Sequence, residues 1–191
     1  MLVLGLDISS SVVGISIIDG NGELVFCDHI QLETNSKKEP DRDLLDKGLI
    51  VEEYLILLKT KFDIDKIWVE DKLSGFSGGG TSAHTMAILI AFHQLTCWIV
   101  IKLWGFKPYK VNVSTARKVV TGQGRAKKGE DIKVVMLAWV VKKFPDFQVD
   151  LNRNGNVHKY IYDRSDATII AYYGYLMLIK SKIVSIGVSI G

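Results

Sequence analysis

The first thirty residues of this chain commit it to a sheet. Leu2–Leu6 and Val12–Ile18 are apolar and rich in β-branched residues, and the second run meets Asp19-Gly20-Asn21-Gly22. Gly and Asn tolerate the positive φ of a tight turn, so the chain reverses there. Residues 23–30 then return as a third strand, giving an antiparallel meander. Beyond a polar loop at 35–43 the apolar spacing turns helical over 44–62. A short strand follows at 66–70, then a Gly-rich loop at 74–80. A long helix, capped by Thr81 or Ser82, runs to about Trp104. A strand at 107–111 and helices at 114–120, 131–144 and 163–180 complete the order, with 147–157 irregular. Three hairpin strands followed by alternating helices and strands predict an α/β fold. Its sheet is mixed and five-stranded, its first three strands are antiparallel, and helices cover both faces. The 191 residues suit one domain over 1–182, followed by an apolar tail at 183–191.

Several classes are set aside. The N-terminus lacks the positive region of a signal peptide. The stretch from Met86 to Trp104 is about as long as a bilayer span. His93, Gln94, Thr96 and Lys102 interrupt it, and it reads as a buried helix rather than a membrane partner. Cys27 and Cys97 have no ligand spacing, which implies an intracellular, reducing compartment such as cytoplasm or nucleoid. The net charge of +3 hides an asymmetry: Lys102–Lys143 holds eleven basic residues against two acidic ones, so the remainder carries −6. A basic block on a near-neutral chain suggests a polyanion partner or a solvated helical surface.

The carboxylates narrow the chemistry. Asp7 closes the first strand and Glu70 the fourth, while Asp163 and Asp166 stand three apart at the start of the last helix. Residues i and i+3 share a helix face. If strands one and four are neighbours, Asp7 and Glu70 emerge side by side. A helix packed across that end would bring Asp163 and Asp166 to the same point. Four carboxylates together repel unless cations neutralise them, and hard oxygen ligands favour two Mg²⁺ ions, or Mn²⁺ in their place. Such ions can activate water against a phosphodiester. Taken singly, the two helix acids would also suit the macrodipole, and Glu70 could be an exposed strand end. Asp7 lies beside an apolar strand, where an unpartnered charge is costly.

Here the sequence resembles a known family. Gly5-Leu6-Asp7-Ile8-Ser9-Ser10-Ser11 resembles the first strand and turn of RuvC-type Holliday junction resolvases, which have the RNase H-like fold. Val69-Glu70 resembles the family's second acid. Tyr109, the segment Arg117-Lys118-Val119-Val120-Thr121-Gly122-Gln123-Gly124-Arg125-Ala126 and Lys128 resemble its basic segment. Asp163-Arg164-Ser165-Asp166-Ala167 resembles its closing Asp-x-x-Asp-Ala. The resemblance implies a homodimer that binds a four-way DNA junction and makes paired, Mg²⁺-dependent cuts. Asp7, Glu70, Asp163 and Asp166 would be catalytic metal ligands, with Lys118 or Lys128 offsetting charge at the reacting phosphate. Phe76, Arg117, Lys118, Arg125, Lys127, Lys128 and Lys133 would contact DNA. Dimerisation would use the helix from Thr81 to Trp104.

The chain also departs from the family. An aromatic wedge is expected a few residues after the second acid; here Leu73 stands near that spacing and Phe76 lies later, in the Gly-rich loop. The 147–157 segment and the tail suggest a longer, divergent member of viral or organellar origin. His158, five residues before Asp163, reads as a surface residue with a role beside the acids as the alternative. Other functions compatible with the sequence are a less selective nuclease on branched DNA or RNA–DNA hybrids and a non-catalytic junction binder. A sugar-kinase or actin-like ATPase needs a second half that this chain is too short to hold.

Overall fold

The computed structural model describes residues 1–33, 40–71 and 83–185. It opens with β1 (Val3–Ile8), β2 (Val12–Ile18) and β3 (Leu24–Gln31), paired antiparallel in that sequence. The turn before β3 closes on Asp19, whose carboxylate accepts the N–H groups of Asn21 and Glu23 at 2.8 and 2.9 Å. Gly22 supplies the positive φ of 84°. There follow α1 (Pro40–Lys61), β4 (Lys66–Glu70), α2 (Ala83–Trp104), β5 (Tyr109–Val111), α3 (Val113–Thr121), α4 (Ile132–Lys143) and α5 (Lys159–Ser185). Strand β4 lies parallel to β1 and β5 parallel to β4, so the order is β3-β2-β1-β4-β5. This is the mixed five-stranded α/β fold that the sequence predicts.

Side chains alternate between the two faces of a strand, and β1 divides the molecule accordingly. Leu4, Leu6 and Ile8 join Ile15 of β2, Ile67 of β4, Val51 and Leu55 of α1, and Phe92 and Val100 of α2 in one core. The opposite face carries α5, which lies across β1, β2, β3 and β4 with α3 and α4 packed on its far side. The second core, under α5, includes Ile18, Val111, Met136, Val140, Phe144 and Ile170.

Two glycines set how closely α5 rests on the sheet. A Cβ on Gly5 would overlap the Ala167 carbonyl and the Ala171 side chain, and one on Gly14 would overlap the Asp163 carbonyl. Only glycine lets a helix backbone sit directly on a strand at these points.

The elements depart from the sequence reading in four places. Helix α1 starts at Pro40, inside the segment expected as a polar loop. Helix α5 starts at Lys159, so Asp163 and Asp166 lie beyond its first turn, which contains no acid. Their placement therefore does not serve the helix dipole, which acts within the terminal turn. The same helix runs on to Ser185, past the expected start of the tail; residues 186–191 lie outside the described residues, as do the Gly-rich loop, Thr81 and Ser82. Helix α2 is not a fully buried core helix. It is long and apolar enough to span a membrane by length and composition, yet only 33% of its most apolar stretch is buried in this chain. Its buried residues begin at Phe92, where it meets the sheet and α1.

Candidate active site

The parallel pairing of β1 with β4 decides where the first two acids go. The register runs from Val3↔Lys66 to Leu6↔Val69, and its next step sets Asp7 beside Glu70. Alternation puts Asp7 on the face of Gly5, and Glu70 on the face of Trp68, whose ring abuts Gly174 of α5. Both acids therefore point to the α5 side. His93 of α2 fixes the end of β4: its Nε2 donates to the Glu70 carbonyl at 2.7 Å, while Nδ1 faces the Cys97 thiol at 3.8 Å. A carbonyl only accepts, so this contact sets the imidazole tautomer.

Helix α5 brings the other two. Gly14 is the β-partner of Asp7 and is also the residue on which the Asp163 backbone rests. The turn carrying Asp163 and Asp166 is thus seated one strand away from Asp7. Asp7 and Asp166 are each only 6% exposed. Burial pushes the Asp166 carboxyl above its ordinary range, and the charge of Asp7 pushes it the same way. The Arg117 guanidinium and the Lys133 ammonium pull it back down.

Arg117 is placed where the sequence reading did not put it. The resemblance puts it at the DNA surface, but it is 8% exposed and grips Asp166 with both arms of its fork, Nη2 at 2.6 Å and Nε at 3.1 Å. The sequence carried a signal for this. Val113, Ala116, Arg117 and Val120 follow the i, i+3, i+4, i+7 spacing of an inward helix face, and Ala116 and Val120 do pack into the α5-side core. Helix α3 is held in register by Asn112, which accepts the Ser114 N–H at 2.9 Å, and by Gly122, whose left-handed φ of 82° ends it.

The remaining basic residues face outward. Lys118 and Arg125 line one open groove of about 600 Å³ with Asn112 and Ser114. Lys127 and Lys128 are exposed on the turn between α3 and α4. Lys133 lines a larger groove of about 880 Å³ with Asp163, Ser9, Ser11, His158 and Tyr160. His158 therefore does lie on the same groove as Asp163. It belongs to a three-ring stack in which Tyr160 lies 3.9 Å from His29 and 5.0 Å from His158, centroid to centroid. Asp150 ties the 147–157 segment to this corner, 3.3 Å from both Arg164 Nη1 and the Tyr160 hydroxyl. Phe76 lies outside the described residues.

The donor set is all carboxylate, which suits a hard cation such as Mg²⁺ or Mn²⁺. The arrangement does not match a site in which four acids share two ions. Asp166 is engaged by Arg117, and among the described residues no three His, Cys, Asp or Glu form a group that could hold a metal. Mg²⁺ is commonly bound through one or two carboxylates plus substrate phosphates, which asks less of the protein than a cage of its own ligands.

No protein-family model matches the sequence, and no curated protein matches it. The fold does have counterparts. The Thermus thermophilus RuvC structure matches with a TM-score of 0.63 and 14% identity, over 94% of this chain and 97% of that one. This chain has the RuvC fold. A second structure, T. thermophilus RuvC in complex with Holliday junction substrate, matches with a TM-score of 0.59 and 10% identity over 94% of this chain and 96% of that one. The yeast mitochondrial Holliday junction resolvase Ydc2 gives 0.58 and 13% over 96% of this chain and 83% of that one. The RuvC-like, RNase H-like arrangement accounts for nearly the whole chain.

Proposed function

We propose that this chain is a structure-selective endodeoxyribonuclease that resolves four-way DNA junctions by paired, metal-dependent phosphodiester hydrolysis. One observation carries the reading. Within a RuvC fold, the α5 turn bearing Asp163 and Asp166 rests on Gly14, the strand partner of Asp7, while Glu70 follows in register on the other side of Asp7. Of the structures this chain resembles, one is named a Holliday junction resolvase and another is RuvC in complex with Holliday junction substrate.

In this reading Asp7, Glu70, Asp163 and Asp166 form the acidic centre. Mg²⁺, or Mn²⁺ in its place, would be held by carboxylates of this set and would supply positive charge at the scissile phosphate. The protein's own part is to hold the acids on rigid elements and to bind the strand beside them. Lys118, Arg125, Lys127, Lys128 and Lys133 would take backbone phosphates, which fix position and make binding salt-sensitive. Lys133 lines the same groove as Asp163, which places it beside Lys118 and Lys128 as a residue that could offset charge at the reacting phosphate.

The proposal includes a homodimer. Leu45, Leu49 and Ile56 of α1 lie along one helix face and are 60, 57 and 44% exposed, and Trp98 of α2 is 56% exposed. A second copy covering the α1–α2 layer would remove this apolar area from water.

The test is cleavage of a mobile synthetic four-way junction beside three-way, flap and RNA–DNA hybrid substrates, in Mg²⁺, Mn²⁺ or chelator. Asp7→Asn is compared with the native chain. Symmetric paired nicks on the four-way junction are expected, lost by about a thousandfold in Asp7→Asn with binding retained, since several kcal/mol of transition-state stabilisation would go. Equal rates on all substrates would point to a less selective nuclease. Binding with no cleavage in either metal would point to a non-catalytic junction binder.

A further inference from the structure

Apart from the acids, the α5 face carries a set of stacked rings at the rim of the Asp163 groove. Asp7, Gly14 and His29 stand opposite one another on β1, β2 and β3. Residues directly opposite share a sheet face. His29 therefore points to the α5 side as Asp7 does, two strands away, roughly 10 Å at the usual strand spacing. Tyr160, in the first turn of α5, covers the His29 ring with 3.9 Å between centroids and 5° between planes. His158 stacks on Tyr160 in turn, at 5.0 Å and 18°. It is partly exposed and lines the groove together with Asp163.

The rings are held in place from several sides. Asp150 accepts from the Tyr160 hydroxyl and from Arg164 Nη1, each at 3.3 Å. The His158 N–H donates to the Asp150 carbonyl, and the His158 carbonyl accepts the Ile161 N–H, both at 3.1 Å. Rings fixed in this way lose little freedom when a flat partner lands on them. The same groove carries two exposed ammonium groups, Lys133 and Lys159. Aromatic faces beside cations that track a phosphate backbone are the two parts of a site for an unpaired strand. We propose that the His158–Tyr160 stack receives one unpaired nucleobase of the DNA strand whose phosphates pass the Asp163 groove. This rests on the proposed function for its ligand, DNA, and adds where one base of that DNA goes. Every base has a π-face, so the stack anchors the strand near the acids without reading its sequence.

The experiment measures binding of a fluorescent four-way junction to the full-length protein in chelator. Nucleotides around the junction centre are replaced one at a time by abasic ones. For the native chain, one position is expected to cost about tenfold in affinity, the loss of a single stacked base. His158→Ala should bind the intact junction about tenfold more weakly and be indifferent to that abasic position, the coupling expected of two groups in contact. His158→Phe should restore both the affinity and the abasic effect. A histidine that only braces its corner would weaken every junction alike and leave the abasic pattern unchanged; that result overturns the proposal, as does native affinity in His158→Ala. If His158→Ala does not fold, photo-crosslinking of the native chain decides. A halogenated pyrimidine at the sensitive position should crosslink to His158 or Tyr160, and crosslinks only elsewhere sink the idea. Cleavage in Mg²⁺ is scored separately. A chain that stacks the base without cutting loses the nuclease reading and keeps this one, whereas a chain that resolves junctions with no such position does the reverse.

Discussion

The two faces of the sheet are built from the same strands but obey different rules. On the α1–α2 face, the inward residues of β1, β2 and β4 are large aliphatics, and the helices stand off by a layer of side chains. On the α5 face the positions alternating with them include Gly5, Asp7, Gly14 and Ser16, and the helix backbone comes down onto the strands. The first face gains stability from buried area, which is forgiving of detail. The second gives up apolar volume to bring carboxylates on β1 and α5 close together, and it must then neutralise them, which Arg117 does for Asp166. Under the proposed function the chemistry would belong to the α5 side, and a second copy would cover the apolar helix surface of the far side.

The same substitution made on each face should break this symmetry most sharply. Gly14→Ala drives a methyl into the Asp163 backbone, which cannot turn aside. A loss of about 1–3 kcal/mol or more is expected from overpacking, with the acidic centre displaced along with α5. Gly48→Ala in α1 meets the Leu95 side chain rather than backbone. It should be near neutral or gain up to about 1 kcal/mol from helix propensity. Denaturant melts of the two variants check this, and equal losses would mean that the faces are not distinct.

A smaller effect on stability, but a clear one on assembly, is expected from Leu49→Glu and Trp98→Glu. Both positions are exposed in the single chain, so the monomer's stability should shift by no more than about 0.5 kcal/mol. Light scattering should show dimers of the native chain falling apart in the variants, with one-sided nicking in place of paired cuts. Native protein that is monomeric at every concentration would remove the proposed role of the α1–α2 layer.

The smallest effect sharpens the α5 side. His29 stacks on Tyr160 at the rim of the Asp163 groove. Burial holds its pKa below the ordinary 6.5, against the opposing pull of Asp28 and Asp150 and with help from Arg164. A lowered folded pKa means that the unfolded chain takes up the proton first. The stability His29 contributes is therefore complete above about pH 6.5 and is lost as the pH falls through the folded value. Melting temperature measured against pH should show this loss in the native chain. It should be reduced in His29→Phe, which keeps a ring in the stack without a titrating group.

How much was legible in advance depends on the range of the interaction. Strand β1, the Asp19–Gly22 turn and the helices at α3 and α4 follow from spacing and caps, because turns, caps and amphipathic faces involve residues only a few positions apart. Asp7, Glu70, Asp163 and Asp166 could be singled out as strand-end and helix-face acids for the same reason. Whether they meet depends on β4 choosing β1 as its parallel neighbour and on α5 crossing at Gly14, contacts that span 63 and about 150 positions. Arg117 shows the limit best. Its place on the inward face of α3 is encoded in the local period, yet in sequence its charge merges with the basic segment because its partner lies 49 residues away. Local sequence determined which residues carry charge and which way each element turns it. Only the tertiary structure decided which charges face each other, because burial and charge neutralisation are properties of the packed whole.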